Sequence, residues 1–397
     1  MKKRLGDYIQ EYSVRNKSGE DIPVYSITNS QGFCRDYFSK EVASKDKTTY
    51  KIVPRGCFAY NPSRINVGSV DWQRDEERVI VSPLYNVFSV SPEIDQQYLY
   101  YYLKSSATLY RIKEVATGSV RDNLRLSMLY DFMIELPSLD VQRQIVSNLD
   151  LLASIIRQRN QQLTKLDELI KARFVEMFGD MLLNSLEWPE KPLEGLADIV
   201  SGITKGRKTT ETGLIEVPYM AVSNVKSGYI DWTTIKTILA TKQEIEQYRL
   251  MPDDILMTEG GDPDKVGRGA IIKNPLKDSI HQNHIFRVRL DKSELLPAYF
   301  AEYLQHQKAK RYFLGCAKQT TGIASINMRQ LRALPVLIPP LPLQNQFADF
   351  VAEVDKSKLF VGSAAAHKPF DIGFFSQKHC ATPCKRGIIS SKHMIFH

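Results

Sequence analysis

Across its 397 residues the chain shows no stretch approaching the ~20 continuous apolar residues of a membrane span, so no membrane role is expected. The opening MKKRLGDYIQ is basic but lacks the apolar segment and small-residue cleavage site of a secretory signal. Cysteines number only five, an odd and scattered set that builds no disulfide framework, which makes a reducing cytoplasm the expected location. The net charge of +8 invites a nucleic-acid partner, yet residues 361–397 supply half of it, with five Lys/Arg against Asp371. Charge alone therefore leaves that partner open.

Complete catalytic motifs are missing as well. Asn61-Pro62-Ser63-Arg64 approaches the Asn-Pro-Pro-aromatic element with which amino-methyltransferases hold a flipped base. It lacks the second proline and the aromatic, and no glycine-rich S-adenosylmethionine loop precedes it. The run from Gly202 through Lys205, Gly206, Arg207 and Lys208 to Thr209 resembles a phosphate loop, but its second glycine comes one residue early. A basic loop touching DNA phosphates, or a plain solvated loop, fits it better. The acids and lysine of 260–265 have no Asp/Glu-x-Lys at nuclease spacing behind them. Cys380, Cys384, His393 and His397 are too closely spaced for a two-Cys, two-His finger. No catalytic residue and no metal site is expected.

What is present is a plan written twice. LGDYI (5–9) parallels LADIV (196–200), PVYSITN (23–29) parallels PYMAVSN (218–224), and YKIVPRGCF (50–58) parallels YRLMPDDIL (248–256). YNVFSV (85–90) parallels NHIFRV (283–288), YYYL (100–103) parallels AEYL (301–304), and Thr117-Gly118 parallels Thr321-Gly322. IELPSLDVQRQI (134–145) then parallels LIPPLPLQNQF (337–347). The blocks keep their order while their offset drifts from 191 to 204, which means duplication of a domain with its exit helix. Within each copy, β-branched and aromatic runs predict strands over 79–90 and 269–290, with helices following over 95–114 and 294–314.

Residues 140–178 contain neither glycine nor proline, and Ile145, Leu149, Leu152, Ile156, Leu163, Leu166 and Ile170 recur by threes and fours, interrupted at Arg159. Asp140 suits the helix start and Gly179 the left-handed cap at its end. Phe347, Phe350, Val351 and Val354 begin a matching second seam behind Pro342. The fold class expected is α+β: two mixed α/β heads joined by long helices that form an antiparallel coiled coil, duplicated about a pseudo-twofold. The expected limits are 1–138 and 181–340 for the heads, 139–180 for the central helix, 341–360 for a shortened second helix, and 361–397 for an atypical, disordered tail.

Two collinear copies, each ending in an L-P-x-L-x-x-Q-x-x-I/F entry into a heptad helix, and the closing phrase KARFVEMFGD (171–180) resemble the specificity subunit of type I restriction-modification enzymes over residues 1 to about 358. That resemblance implies a non-catalytic subunit whose two target-recognition domains each read half of a bipartite site in double-stranded DNA. It implies helices that set the spacing and dock modification (methyltransferase) subunits, with restriction (translocase and nuclease) subunits completing the complex. S-adenosylmethionine, ATP and magnesium then belong to those partners, and no cofactor to this chain. The family's second helix would run on to a similar closing phrase; here the heptads stop near Lys358, so one docking surface is expected to be incomplete.

Candidate DNA contacts follow from residue chemistry, Arg suiting guanine and Asn adenine. They are Arg55, Tyr60, Asn61, Arg64 and Asn66 in the first head, and Lys205, Arg207, Lys208, Thr258, Glu259 and Arg268 in the second. Segment 258–269 is expected to be a flexible recognition loop, and its counterpart around 60–66 a second one, with a plain turn between strands as the alternative for each. Gly118, Arg121, Asn123, Thr321 and Gly322 carry the glycine-containing stretch that recurs beside the DNA-facing side in the family; they either touch DNA or shape the loop. The alternatives are a stand-alone DNA-binding regulator and a degenerate methyltransferase or nuclease.

Overall fold

Four antiparallel strands organise each head, and their order is the same in both. In the first, Ile9–Glu11, Asn86–Val90, Phe58–Tyr60 and Val70–Trp72 lie side by side in that order. In the second the order is Ala197–Ser201, Ile285–Leu290, Asp254–Thr258 and Gly269–Ile272. The computed structural model describes residues 2–35, 46–116, 123–206, 212–262, 265–320 and 322–362. Among them the chain falls into two units, one ending at Ile156 and the other beginning at Arg157.

Apolar side chains on one face of each sheet bury against the helices that follow it. Phe58 and Phe88 stack at 5.1 Å and share a core with Leu5, Leu99, Leu103 and Phe132. Met257 and Val288 do the same with Leu193, Phe300, Phe313 and Leu334. The run 79–90 is two strands, Arg78–Val81 and Asn86–Val90, because the turn at Ser82–Tyr85 divides it. The run 269–290 likewise divides into three strands, Gly269–Ile272, Ile280–His281 and Ile285–Leu290.

Each helix expected as continuous is a broken pair. Gln96–Lys104 gives way to Ser106–Val115 at Ser105, whose extended backbone and hydroxyl cap the second helix by accepting from the Thr108 N–H. Pro297–Tyr303 and Gln307–Cys316 are divided near His306, which caps in the same manner through the Lys308 N–H. Caps of this kind satisfy N–H groups that a new helix start leaves orphaned.

The exit helix runs Leu139–Phe178, 40 residues, on the order of 60 Å. Gly179 ends it at φ 74°, the left-handed cap anticipated. Its first part belongs to the first unit and its remainder to the second, which also holds the second helix, Leu341–Gly362, of 22 residues. Within the second unit these two pack antiparallel. Phe347 meets Phe174 and Phe178, the Arg173 guanidinium lies 5.9 Å from the Phe350 ring centre, and Lys358 bonds Asp167 at 2.7 Å. Partners thus rise in one helix as they fall in the other. Ile170 and Val354 are buried in the same core, with Leu166, Phe350 and Val351 packed against it, and Leu163 is half-buried.

The seam expected farther back differs. Ile145 packs into the core of its own head, Leu149 and Ile156 are half-buried, and Leu152 is 43% exposed. Heptad spacing marks a face that wants covering, but the covering element differs along the helix.

Candidate nucleic-acid interface

In the first head the central strand Phe58–Tyr60 delivers the chain into a turn at Asn61. The Asn61 carboxamide oxygen accepts from the Ser63 N–H at 3.1 Å and the Ser63 hydroxyl at 2.9 Å, a local turn that holds Arg64 exposed. Leu124 donates its N–H to the Pro62 carbonyl at 3.0 Å, bringing exposed Asn123 beside this turn. Half-buried Asn66 follows in the short helix Ile65–Val67. Asn61, Arg64, Asn66 and Asn123 therefore gather at one end of the sheet.

Arg55 sits at the other end. Its exposed guanidinium donates to the Asp75 carbonyl at 2.7 Å, in a loop beyond the far ends of the same strands, so it stands apart from the Asn61 group. Tyr60 is corrected to a core residue: it has no exposed surface and its hydroxyl donates to the Leu124 carbonyl at 3.0 Å. Burial also pushes its phenol well above the ordinary tyrosine range.

The second head repeats this arrangement at the corresponding end of the strand Asp254–Thr258. Glu259 donates its N–H to the His284 carbonyl, and Ile326 donates its own to the Glu259 carbonyl, as Leu124 does to Pro62. Gly260–Gly261 pair with Ala324–Ser325, so this part of 258–269 is paired strand, which favours the turn-between-strands alternative there; residues 263 and 264 lie outside the described residues. Lys265 bonds the Asp262 carboxylate. Thr258 is wholly buried, within the strand, which withdraws it from the contact candidates. Arg268 is half-buried and accepts from the Thr258 N–H through its carbonyl at 3.0 Å.

Exposed Lys205 joins the same region, because Ile203 hydrogen-bonds both His281 and Asn283. Gly202 of the supposed phosphate loop has a packing role: a Cβ there would lie 1.9 Å from the His281 carbonyl oxygen. Gly322, at φ 83°, turns the hairpin between Lys318–Thr320 and Ile323–Ser325, which supports the loop-shaping reading of that glycine. Gly118, Arg121, Arg207, Lys208 and Thr321 lie outside the described residues, as do Cys380, Cys384, His393 and His397. Among the described residues no cluster of metal-ligating side chains occurs. No helix among them is long and apolar enough to cross a membrane.

One group went unnoticed in the sequence. His284 donates from Nδ1 to the Glu259 carboxylate at 2.5 Å, orienting it, with Asn283 adjacent. The NHIFRV block signalled a strand; that its first residues approach Glu259 follows only from the strand pairing of Thr258 with Ile285. The result is two equivalent sheet ends, each presenting amide, carboxylate or guanidinium groups of the types that hydrogen-bond base edges.

A family model for the type I restriction modification DNA specificity domain matches residues 6–165 and again 185–359. The type I restriction enzyme EcoKI specificity subunit of Escherichia coli (strain K12) is 22% identical over 272 residues, 65% of this chain and 58% of that one. The putative type I restriction enzyme MjaX specificity subunit of Methanocaldococcus jannaschii is 28% identical over 171 residues, 43% of this chain and 40% of that one. The chain thus spans less than two thirds of these relatives' own length. The crystal structure of the type I restriction-modification system S subunit from M. genitalium matches 92% of this chain and 91% of that one, with a TM-score of 0.50 at 14% identity, a likeness of fold. Matched twice and over most of its length, the chain belongs to the family of type I restriction modification DNA specificity domains.

Proposed function

We propose that this chain is the sequence-reading subunit of a type I restriction-modification complex, itself non-catalytic, in which each head takes one half of a bipartite site in double-stranded DNA. The observation that carries the reading is the duplication at the level of strand order and of individual hydrogen bonds. Two like readers suit two half-sites, and the separation between them becomes a property of the scaffold. In each head the polar groups at the sheet end address bases, Arg64 suiting guanine, Asn61 and Asn123 adenine, and the Glu259 carboxylate the amino group of cytosine. Lys205 and Arg268 suit phosphates, which position without specifying.

The helices set the spacing and present the docking surface for modification subunits. Methyl transfer from S-adenosylmethionine belongs to those subunits, and ATP- and magnesium-dependent translocation and cleavage to the restriction subunits. Sequencing the methylome of cells with and without the gene tests this. Loss of a bipartite methyladenine motif is expected; an unchanged methylome, or methylation or cleavage by the purified chain alone, overturns it.

A further inference from the structure

Gln142 and Gln344 occupy matching places in the first turn of the two exit helices, and neither side chain has any exposed surface. Gln142 Oε1 accepts from the Asp95 N–H at 2.9 Å, and Nε2 donates to the carbonyls of Glu93 and Pro137, each at 2.9 Å. Gln344 Oε1 accepts from the Leu296 N–H at 2.8 Å, and Nε2 donates to the carbonyls of Glu294 at 3.0 Å and Pro339 at 2.8 Å. Both amide hydrogens and the oxygen are satisfied each time, three directed bonds from one planar group. The partners correspond one for one between the copies: a residue of the loop leading into the head's helix, the N-cap of that helix, and the connector to the exit helix.

A second set of bonds reinforces the same junction. Tyr98 and Tyr102 donate to the carbonyls of Glu135 and Met133, on the last strand before the first exit helix. Tyr299 and Tyr303 donate to those of Leu337 and Pro335, the corresponding strand of the second copy. Filling the space would need only an apolar side chain of glutamine's size. Glutamine adds direction, because its bonds hold only if head loop, connector and helix keep one mutual angle. The connectors, 136–138 and 338–340, are too short to absorb a different one.

We infer that Gln142 and Gln344 are positioning residues that fix the angle at which each head leaves its exit helix, and so select the length of the non-specific spacer between the two half-sites. This rests on the reading proposed above. The test pairs the full chain with the modification subunits and measures methylation of a target library whose half-sites are constant and whose spacer length varies. Gln142→Met and Gln344→Met, tested singly, should methylate targets one base pair off the preferred spacer about tenfold better, relative to the preferred length, than the natural chain does. The half-site sequences should stay unchanged.

Tyr98→Phe removes one hydroxyl from the same junction and should shift the ratio in the same direction by less, which keeps the test open should a glutamine variant fail to fold. Ile112→Ala, a truncation elsewhere in the first head's core, controls for lost stability and should lower all methylation without altering the ratio. Natural spacer strictness in the glutamine and tyrosine variants, or equal relaxation by Ile112→Ala, overturns the inference. Failure of the natural chain to direct any bipartite methylation would instead overturn the proposed function.

Discussion

His281 shows how far one side chain's behaviour can depend on its surroundings. It is fully buried, neither ring nitrogen has a hydrogen-bond partner among the described residues, and Gly202 lies so near that a Cβ there would meet it. Burial, with the Arg287 charge adding to it, pushes its pKa from 6.5 down to about 3. The folded chain thus keeps the ring neutral while the unfolded chain protonates it near pH 6.5. Its contribution is complete above that pH and is lost progressively as pH falls toward 3. Unfolding by denaturant between pH 6.5 and 5 should therefore show a stability loss of about 2 kcal/mol that His281→Leu lacks. Parallel pH profiles for the two chains would contradict it. Nothing in the local sequence marks this histidine, since Gly202 reaches it from a segment distant in the chain, just past the strand Ala197–Ser201. Tyr60 and Thr258 carry the converse lesson: residue type suits them to base contacts, but the core holds them.

Among the elements, the exit helices separate what periodicity reveals from what it hides. Leu152 and Ile170 belong to one heptad pattern, yet Leu152 is 43% exposed and Ile170 buried. Phe174, outside the named seam, is 1% exposed, with its ring 5.4 Å from those of Tyr299 and Phe347. Phe174→Ala should cost about 3–5 kcal/mol in equilibrium unfolding of the second unit. Leu152→Ala should cost under about 1 kcal/mol. Similar losses for both would show that the seam is covered evenly in solution. The helix itself was legible, because its residues lack glycine and proline until Gly179 and its spacing needs only local sequence. The Q of L-P-x-L-x-x-Q was visible as a letter, but its three partners lie about 50 residues away or across a connector.

At the scale of the whole molecule, the reading proposed above, with one half-site to each of the two duplicated heads, predicts that the heads are separable in function. Replacing residues 185–340 with the matching segment of a relative of different target should change one half of the methylated motif and leave the other as it was, read by methylome sequencing. A change in both halves would show that the heads do not read independently. Equivalent sheet ends in the two heads support independence, since each candidate set is assembled wholly within its own unit: Asn61, Arg64 and Asn123 in one, Lys205, Glu259 and His284 in the other.

The sequence by itself determined the doubling, the mixed α/β character of each copy and the long helix with its cap, because collinear repeats and residue periodicity are recorded in the order of the chain. Tertiary structure alone decided which polar residues share a sheet end, which of the suspected readers are core, and what the repeated glutamine holds. Those answers depend on strand pairing and burial between residues far apart in sequence, where residue type names a chemistry but not its neighbours.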